Sequence, residues 1–392
     1  MAERSPSAPS NAAPVRDEDA FDVDALAGWL RANAPDEPGL DATPEVRQFK
    51  GGASNLTYLL RYPTRDLILR RPPGGTKAKG AHDMRRESDI QRSLGDVYEH
   101  VPRIVVWCGD ESVIGSEFYV MERIVGTILR RDVPSSLGLS RDGVNLLCRN
   151  ALDTLVDLHQ VDVEAAGLGD LGKGPGYVER QVTGWSARYR KARTPDVGSF
   201  ERVMDWLEAN RPDDVGQVLI HNDFRFDNLV LDQDDPTRIV GVLDWEMATV
   251  GDPLMDLGGA MAYWVQASDD PVARALRLQP THTPGMLTRV EAVRYYCDRI
   301  GIPMDAERWA FYEVFGLFRL AVIAQQIYLR TYRGETTNPQ AKRMRWFVLY
   351  LGLRCRLLVG RHRRGARRSA RGSVRGSASG SARRGARGTG GR

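Results

Sequence analysis

Residues 45 to 125 consist of short apolar runs separated by turn residues, and this pattern predicts a strand-rich segment that contains one helix. "VRQFKGGASNLTYLLRY" predicts two strands joined by a glycine turn, and "DLILRRPPGG" predicts a strand that ends at Pro-Pro-Gly-Gly. "RIVVWCGD" and "EFYVMERI" predict two further strands. "AHDMRRESDIQRSLG", which precedes these two, predicts a helix that ends at Gly95. The segment therefore predicts a small lobe of strands with one helix.

After Gly126 the apolar residues recur at helical spacing, beginning with "LSRDGVNLLCRNALDTLVDLHQV". The β-type interruption is "NLVLDQDDPTRIVGVLDWE", which predicts a hairpin. The fold class that we predict is α+β, with a β-rich N-lobe over residues 21–125 and a mainly helical C-lobe over residues 126–360. The N-lobe begins with a short amphipathic helix, "AFDVDALAGWLRAN". Further helices are predicted over 176–210, 254–267, 286–301 and 305–333.

The length and the charge distribution refine this picture. A chain of 392 residues exceeds one ordinary core, which favours two lobes. The net charge of +4 conceals eleven Arg and no acid from Arg361 onward, so the rest of the chain carries 4 − 11 = −7. We predict that residues 1–20 and 361–392 are disordered. The basic tail could bind RNA or an anionic membrane non-specifically, or it could simply be solvated.

Several classes of protein are disfavoured by the composition. The four cysteines are scattered without a C-x-x-C pair, which argues against a zinc site or a disulfide framework. The N-terminus lacks the apolar segment of a secretory signal, and the apolar runs are too short to span a bilayer. We therefore expect a cytoplasmic protein without a membrane span. The acidic body also gives no reason to expect a specific nucleic-acid partner.

The segment "HNDFRFDNLVLD" at 221–232 concentrates polar groups directly before a strand. The predicted hairpin places Asn228, at the start of its first strand, beside Asp244, at the end of its second. Asp223 lies in the loop just upstream. Carboxylate and carbonyl oxygens are the ligands that Mg²⁺ prefers, and one carboxylate remains to accept a proton from a hydroxyl. Each of these three side chains could instead cap the end of a strand or form an Asx turn.

The spacing H-x-D-x4-N, followed by "LDWE" and "GDPLMDL", resembles the aminoglycoside phosphotransferase and choline-kinase-like superfamily, which has a protein-kinase-like fold. More narrowly, the chain is similar to the kinase-like domain related to the N-terminal part of certain acyl-CoA dehydrogenases. The resemblance covers about residues 45 to 350. It implies a small-molecule kinase that uses ATP and Mg²⁺ to phosphorylate a substrate hydroxyl.

The resemblance also implies roles for individual residues. Asp223 would be the base or orienting group for the hydroxyl, and Asn228 and Asp244 would hold one or two Mg²⁺ ions. Where protein kinases place a Lys, this chain has Arg70, with Arg71 as the alternative. Arg70 would pair with Glu87, although Glu87 could also be an ordinary surface residue. The remaining ATP-binding candidates are Gly51, Gly52, Ser54 and Asn55 for phosphate, and Met121, Glu122 and Ile124 at an interlobe hinge for adenine.

Other polar residues near the motif are expected to be structural or have more than one possible role. We expect His221 to brace the turn at Asp244 rather than to act as an acid, and His159 to be structural. Capping or bracing is also the favoured role for Asp252 and Asp256. The role of Glu246 stays open between the metal shell and solvent. Two loop residues could either face the acceptor or be structural: Arg225 and Asp227.

The acceptor is indicated only by residues 176–193, which are rich in Arg and Lys and include Trp185 and Tyr189. This composition suits an anionic small-molecule acceptor with a flat or acyl group, such as a hydroxyacyl-CoA, although an ordinary basic helix face would look the same. Two other functions stay open. One is an antibiotic phosphotransferase, and the other is a catalytically silent module that binds nucleotide or acyl-CoA. The oligomeric state is not indicated by the sequence.

Overall fold

The computed structural model describes residues 12–49, 55–73 and 83–382, with side chains described as far as residue 364. These residues form two compact units. The first unit comprises the described residues up to Gly174 together with Gly216–Asp256 and Tyr263–Gly301. The second comprises Pro175–Val215, Leu257–Ala262 and the described residues from Ile302 onward.

The first unit begins with β1 Ala12–Ala13, α1 Val23–Asn33, β2 Glu45–Phe49, β3 Leu56–Arg61, β4 Asp66–Arg71, α2 Met84–Leu94, β5 Ile104–Cys108 and β6 Phe118–Glu122. Its six strands form an antiparallel sheet in the order β1-β2-β3-β4-β6-β5. Alternation along the strands sends Tyr58 and Leu60 into one core with α1, and Leu59 and Ile68 into a second core with α2. The five strands and the helix that the sequence predicts over 45–125 are confirmed.

The segment before α1 differs from the prediction of disorder over residues 1–20. From Ala12 onward it is part of the fold, because β1 pairs with β2. Asp19 is buried, and its carboxylate accepts a hydrogen bond from the Gln48 side chain at 2.8 Å. Its carbonyl oxygen accepts hydrogen bonds from Tyr58 and Arg71. These contacts are made with distant strands, so the local composition does not reveal them.

The rest of the first unit contains the predicted hairpin, in which Leu229 pairs with Val242. A second antiparallel pair, β7 with β10, flanks it and was not predicted, because three-residue strands leave almost no periodic signal. The short helix α7 was also not predicted. The elements are α3 Arg141–His159, β7 Val218–Ile220, β8 Leu229–Leu231, β9 Ile239–Val242, β10 Thr249–Gly251, α6 Pro253–Ala262, α7 Pro271–Leu276 and α8 Arg289–Ile300.

The chain after β6 runs close to the hairpin. Thr127 pairs with Leu231, and a Cβ atom on Gly126 would lie 2.1 Å from the Leu231 carbonyl oxygen. Ile124 packs against Gly241, where a Cβ atom would lie 2.6 Å from the Ile124 Cδ1 atom. Glycine at both positions therefore lets this segment approach the hairpin that follows the H-x-D-x4-N motif.

We expect Gly126→Ala to lower the free energy of unfolding by about 3 kcal/mol, because the new methyl group meets backbone that cannot move without disturbing β8. Urea denaturation measures this change. Gly28→Ala is the matched control, since Gly28 is exposed on α1 and a Cβ atom there would meet nothing closer than 4.0 Å. That control should be neutral or slightly stabilising. Equal stability of Gly126→Ala and wild type would show that the close approach is absent.

The second unit is helical and consists of part of α6 together with α4 Tyr177–Ala192, α5 Glu201–Ala209, α9 Ala306–Tyr332 and α10 Pro339–Ala382. Within the described residues, α9 is the helix that is long and apolar enough to cross a membrane, and most of it is buried inside the protein. Trp185 and Tyr189 are also buried. Tyr189 packs against Phe200 and Phe318, so its ring belongs to the core and is not displayed for an acceptor.

Helix α10 continues past Gly360 to Ala382, whereas the composition predicts disorder from Arg361. Arg and Ala are frequent over 361–382, and both favour helix, which opposes the effect of the Gly and Ser residues there. Residues 383–392 lie outside the described part of the chain. The lobe boundaries at residues 125 and 360 stay predictions.

Candidate active site

The H-x-D-x4-N motif lies between β7 and β8, and Asn222 within it and Asp244 after the hairpin have unusual backbone conformations. Asn222 has φ 64° and Asp244 has φ 71°, a left-handed conformation that residues other than glycine seldom adopt. The Asp256 carboxylate accepts hydrogen bonds from the backbone N–H groups of His221 at 2.7 Å and of Asn222 at 2.8 Å. Strained backbone persists where its surroundings fix it, and this carboxylate fixes the turn before Asp223.

His221 is fully buried, and its ring contacts both the backbone of Asp223 and the backbone of Leu243, which precedes Asp244. Its Nδ1 atom accepts a hydrogen bond from the Asp223 backbone N–H at 3.2 Å. That contact assigns the ring proton to Nε2, which donates to the Leu243 carbonyl at 3.0 Å. His221 therefore braces the residue before Asp244, as the sequence leads us to expect.

The structure brings Asp223 and Asn228 into direct contact. The Asn228 Nδ2 atom donates hydrogen bonds to the Asp223 carbonyl at 2.9 Å and to its Oδ2 atom at 3.1 Å. The Leu243 N–H donates to the Asn228 carbonyl at 2.8 Å, so Asn228 and Asp244 lie at adjacent ends of the hairpin, as predicted. Because Nδ2 is committed to Asp223, the amide oxygen is the Asn228 atom that could bind a cation.

The predicted ion pair between Arg70 and Glu87 is present, with Nη1 2.6 Å from Oε1. The Arg70 Nη2 atom also lies 3.1 Å from Asp244 Oδ1. Burial opposes the charge on Arg70, but Glu87 and Asp244 raise the pKa of the guanidinium well above its ordinary value. Burial raises the pKa of Glu87 to about 7, against the opposing effect of Arg70.

The neighbouring Arg71 has a different environment. Its guanidinium donates to the Tyr58 hydroxyl and to the carbonyls of Asp19 and Ile114, all inside the N-terminal core. Since the arginines alternate across β4, only Arg70 is directed toward Asp244. The alternative in which Arg71 contacts phosphate is therefore disfavoured by its packing.

Helix α2 is tied to the segment that follows Asp244. The Arg86 guanidinium donates hydrogen bonds to the carbonyls of Glu246, at 3.0 Å, and of Ala248. The Asn55 Nδ2 atom donates to Glu246 Oε2 at 3.1 Å, so Glu246 holds the residue that precedes β3. The three other residues predicted to bind phosphate lie outside the described residues: Gly51, Gly52 and Ser54.

The predicted hinge has mainly structural side chains. Met121 is buried and packs between Ile68 and Ile104. The Glu122 carboxylate pairs with Arg65 and Arg103. If adenine binds here, it would therefore contact backbone groups, and that role stays a prediction for Met121, Glu122 and Ile124.

Arg225 occupies the centre of the catalytic loop. Its Nε atom lies 3.1 Å from Asp223 Oδ1, and its Nη2 atom lies 3.2 Å from Asp227 Oδ2. Its guanidinium carbon lies 4.7 Å from the centre of the Tyr263 ring. Burial opposes the charge, yet Asp223 and Asp227 raise the pKa of Arg225. No sequence motif points to Tyr263, which lies far along the chain from Arg225.

His159 belongs to the network beneath the loop. Its Nε2 atom lies 3.1 Å from Asp256 Oδ2, and its Nδ1 atom lies 2.5 Å from the Tyr296 hydroxyl. Burial alone would raise the pKa of Asp256, but the hydrogen bond and charge of His159 and the N–H of His221 hold it below its ordinary value. The structure therefore supports the bracing role of His159 and Asp256. Asp252 caps the start of α6 by accepting from Leu254 and Met255.

We expect Asp256→Asn to lower the free energy of unfolding at neutral pH by about 3 kcal/mol, because an amide cannot accept the same set of charge-assisted hydrogen bonds. The folded pKa of Asp256 lies below its unfolded value, so this stabilisation is present above pH 3.8 and is lost as the pH falls through the folded pKa. Thermal unfolding from neutral to acidic pH measures it. The exposed Asp298→Asn is the control, and equal acid sensitivity of wild type and Asp256→Asn would contradict the role.

A model of the phosphotransferase enzyme family matches residues 45–287. The chain belongs to this family. Acyl-CoA dehydrogenase family member 10 from Mus musculus is 36% identical over 335 residues, which make up 85% of this chain and 30% of that protein. This chain therefore spans only about a third of that relative's length.

Two solved structures extend the comparison. A Ralstonia eutropha JMP134 protein described as a candidate aminoglycoside phosphotransferase is 29% identical, with a TM-score of 0.74 over 87% of this chain and 99% of its own. A spectinomycin phosphotransferase solved with ADP and spectinomycin is 13% identical, with a TM-score of 0.51 over 86% of this chain and 98% of its own. The α+β, protein-kinase-like fold is thus confirmed, with an antiparallel sheet in the N-lobe and a helical C-terminal part.

The donor set at the motif fits Mg²⁺. Among the described residues, no three His, Cys, Asp or Glu side chains form a complete protein cage for a metal. Magnesium does not require one, because it retains waters and binds phosphate oxygens together with one or two protein ligands. The Asp244 carboxylate, which is 34% exposed, and the Asn228 amide oxygen are donors of this kind.

Proposed function

We propose that this protein is a small-molecule kinase that transfers the γ-phosphate of ATP to a substrate hydroxyl in the presence of Mg²⁺. One observation carries the proposal. Asp223, Asn228 and Asp244 are held in a single hydrogen-bonded frame, and Arg70 connects the last of them to the buried Glu87. A module that only binds nucleotide has no need for a separate carboxylate at Asp223.

Each residue has a distinct task in this reaction. Asp223 accepts the proton of the substrate hydroxyl, or holds the hydroxyl in position for attack. Asn228 and Asp244 would hold Mg²⁺, which when bound would neutralise charge on the phosphates. Arg70 binds phosphate oxygens, and Glu87 keeps its guanidinium in place. Arg225 orients the Asp223 carboxylate through the contact at 3.1 Å.

We propose a hydroxyacyl-CoA, or a related anionic hydroxy compound, as the acceptor. The support is the similarity to a relative named as an acyl-CoA dehydrogenase family member, together with the basic face of α4. Arg188 and Lys191 are exposed on that helix and Arg190 pairs with Glu201, whereas Trp185 and Tyr189 are buried. We therefore propose that cationic side chains of α4 recognise the acceptor, and that the buried rings of Trp185 and Tyr189 do not stack on it.

A second candidate is an antibiotic phosphotransferase, which the similarity to the Ralstonia protein favours. Aminoglycosides are polycations and would require an acidic acceptor surface. The basic face of α4 counts against that chemistry, so we rank this function below the first.

The experiment is ADP release from Mg-ATP with a panel of acceptors: 3- and 4-hydroxyacyl-CoAs, free hydroxy acids, choline and aminoglycosides. Asp223→Ala is assayed beside the wild type, and Asp234→Asn, in the exposed hairpin turn, is the control. We expect turnover with a hydroxyacyl-CoA that disappears in Asp223→Ala alone. Turnover with an aminoglycoside alone would select the second candidate, and nucleotide binding without turnover would contradict the kinase.

A further inference from the structure

The Arg70 guanidinium forms ion pairs with two carboxylates that belong to different parts of the site. Arg70 uses Nη1 for Glu87 on α2, at 2.6 Å, and Nη2 for Asp244 at the end of the hairpin, at 3.1 Å. In the described part of the chain, Arg70 is the residue that forms an ion pair with Asp244. The nearby Arg86 is directed to backbone carbonyls instead.

The two ion pairs differ in their exposure to solvent. The Glu87 side chain is completely buried and the Arg70 side chain is 11% exposed, whereas the Asp244 side chain is 34% exposed. A completely buried carboxylate needs its partner, because water cannot replace the lost charge. The Asp244 carboxylate can exchange its partner for a cation from solution. The Arg70–Asp244 contact is therefore the exchangeable one of the two.

We infer that Arg70 is the temporary counter-ion of Asp244 and that it couples metal binding to nucleotide binding. In the nucleotide-free protein, Arg70 competes with Mg²⁺ for Asp244, so free metal binds weakly. A nucleotide phosphate attracts the Nη2 end of Arg70 and leaves Asp244 to the metal. Glu87 retains its hold on Nη1 throughout. This inference rests on the proposed function, since it requires a nucleotide and a divalent cation at this site.

Two substitutions should shift free-metal affinity in opposite directions. Arg70→Met removes the competing cation, so we expect divalent metal to bind about tenfold more tightly in the absence of nucleotide. Glu87→Gln removes the second carboxylate and leaves the full charge of Arg70 beside Asp244, so free metal should bind more weakly than in the wild type. In the wild type, nucleotide and metal should each strengthen the other's binding by the same factor, about 5- to 150-fold, because coupling is reciprocal.

The probe is Mn²⁺, whose free concentration is followed by electron paramagnetic resonance, with and without ADP. Isothermal titration of ADP with and without Mn²⁺ supplies the reciprocal measurement. We expect mutual strengthening in the wild type and much less of it in Arg70→Met. If that variant unfolds because Glu87 is left unpaired, the double variant Arg70→Met with Glu87→Met removes both buried charges and tests the same competition.

The outcomes of these binding measurements distinguish the counter-ion role of Arg70 from the proposed function. Unchanged free-Mn²⁺ affinity in the Arg70 variants, beside a wild type that binds Mn²⁺ and ADP, would overturn the counter-ion role and leave the kinase proposal intact. A wild type that binds neither ADP nor Mn²⁺ would instead overturn the proposed function. Opposite shifts in Arg70→Met and Glu87→Gln would establish the exchange.

Discussion

Asp223→Asn should lower kcat about 10²- to 10⁴-fold, the range that positioned general bases contribute. The substitution keeps an oxygen that can accept the Asn228 hydrogen bond, so the loop should keep its shape. It removes the negative charge that accepts the proton and that pairs with Arg225. Because Asp227 still pairs with Arg225 at 3.2 Å, we expect nucleotide affinity and thermal stability close to those of the wild type.

Steady-state kinetics with a saturating acceptor measures this effect, and ADP binding by calorimetry shows that the nucleotide site is intact. Asp234→Asn carries the same chemical change in an exposed turn and should have wild-type kinetics. A loss of less than about threefold in Asp223→Asn would mean that this carboxylate neither accepts the proton nor positions the hydroxyl.

Asp244→Asn should reduce activity at ordinary Mg²⁺ concentrations about 10³-fold, because the amide lacks the charge that a hard divalent cation requires. The defect should resemble weakened metal binding, so higher Mg²⁺ should recover part of the activity. The left-handed backbone at φ 71° tolerates Asn as well as Asp, so the fold should survive.

A metal titration of the reaction rate separates this defect from that of Asp223→Asn, which more metal should not relieve. Asp235→Asn, in the exposed turn of the same hairpin, is the control. If Asp244→Asn showed wild-type activity at low Mg²⁺, the metal site would have to be assigned to other residues.

Local patterns predicted the frame of the site because each of its parts follows from a short-range rule. The hairpin register brings Asn228 next to the residue that precedes Asp244. Alternation along β4 and the buried stripe of α2 direct Arg70 and Glu87 toward each other. Each rule requires only the sequence of one strand, one helix or one hairpin.

Contacts between distant segments were not predictable in the same way. Tyr263 lies beneath Arg225, and Gln279 accepts the Phe226 N–H, yet neither belongs to a recognisable motif. The rings of Trp185 and Tyr189 follow a helical spacing that suits a core as well as a binding surface, and the structure places them in the core. Sequence periodicity identifies which residues share a face but not what covers that face.

The most direct test of the central claim follows the label from γ-labelled ATP into the acceptor found in the panel. Wild type, Asp223→Asn and Asp234→Asn are compared in a single turnover. The account predicts labelled, phosphorylated acceptor with the wild type and Asp234→Asn, and almost none with Asp223→Asn. Label that stays in ATP with every hydroxyl acceptor, although Mg-ATP binds, would contradict the claim that these residues form a phosphoryl-transfer centre.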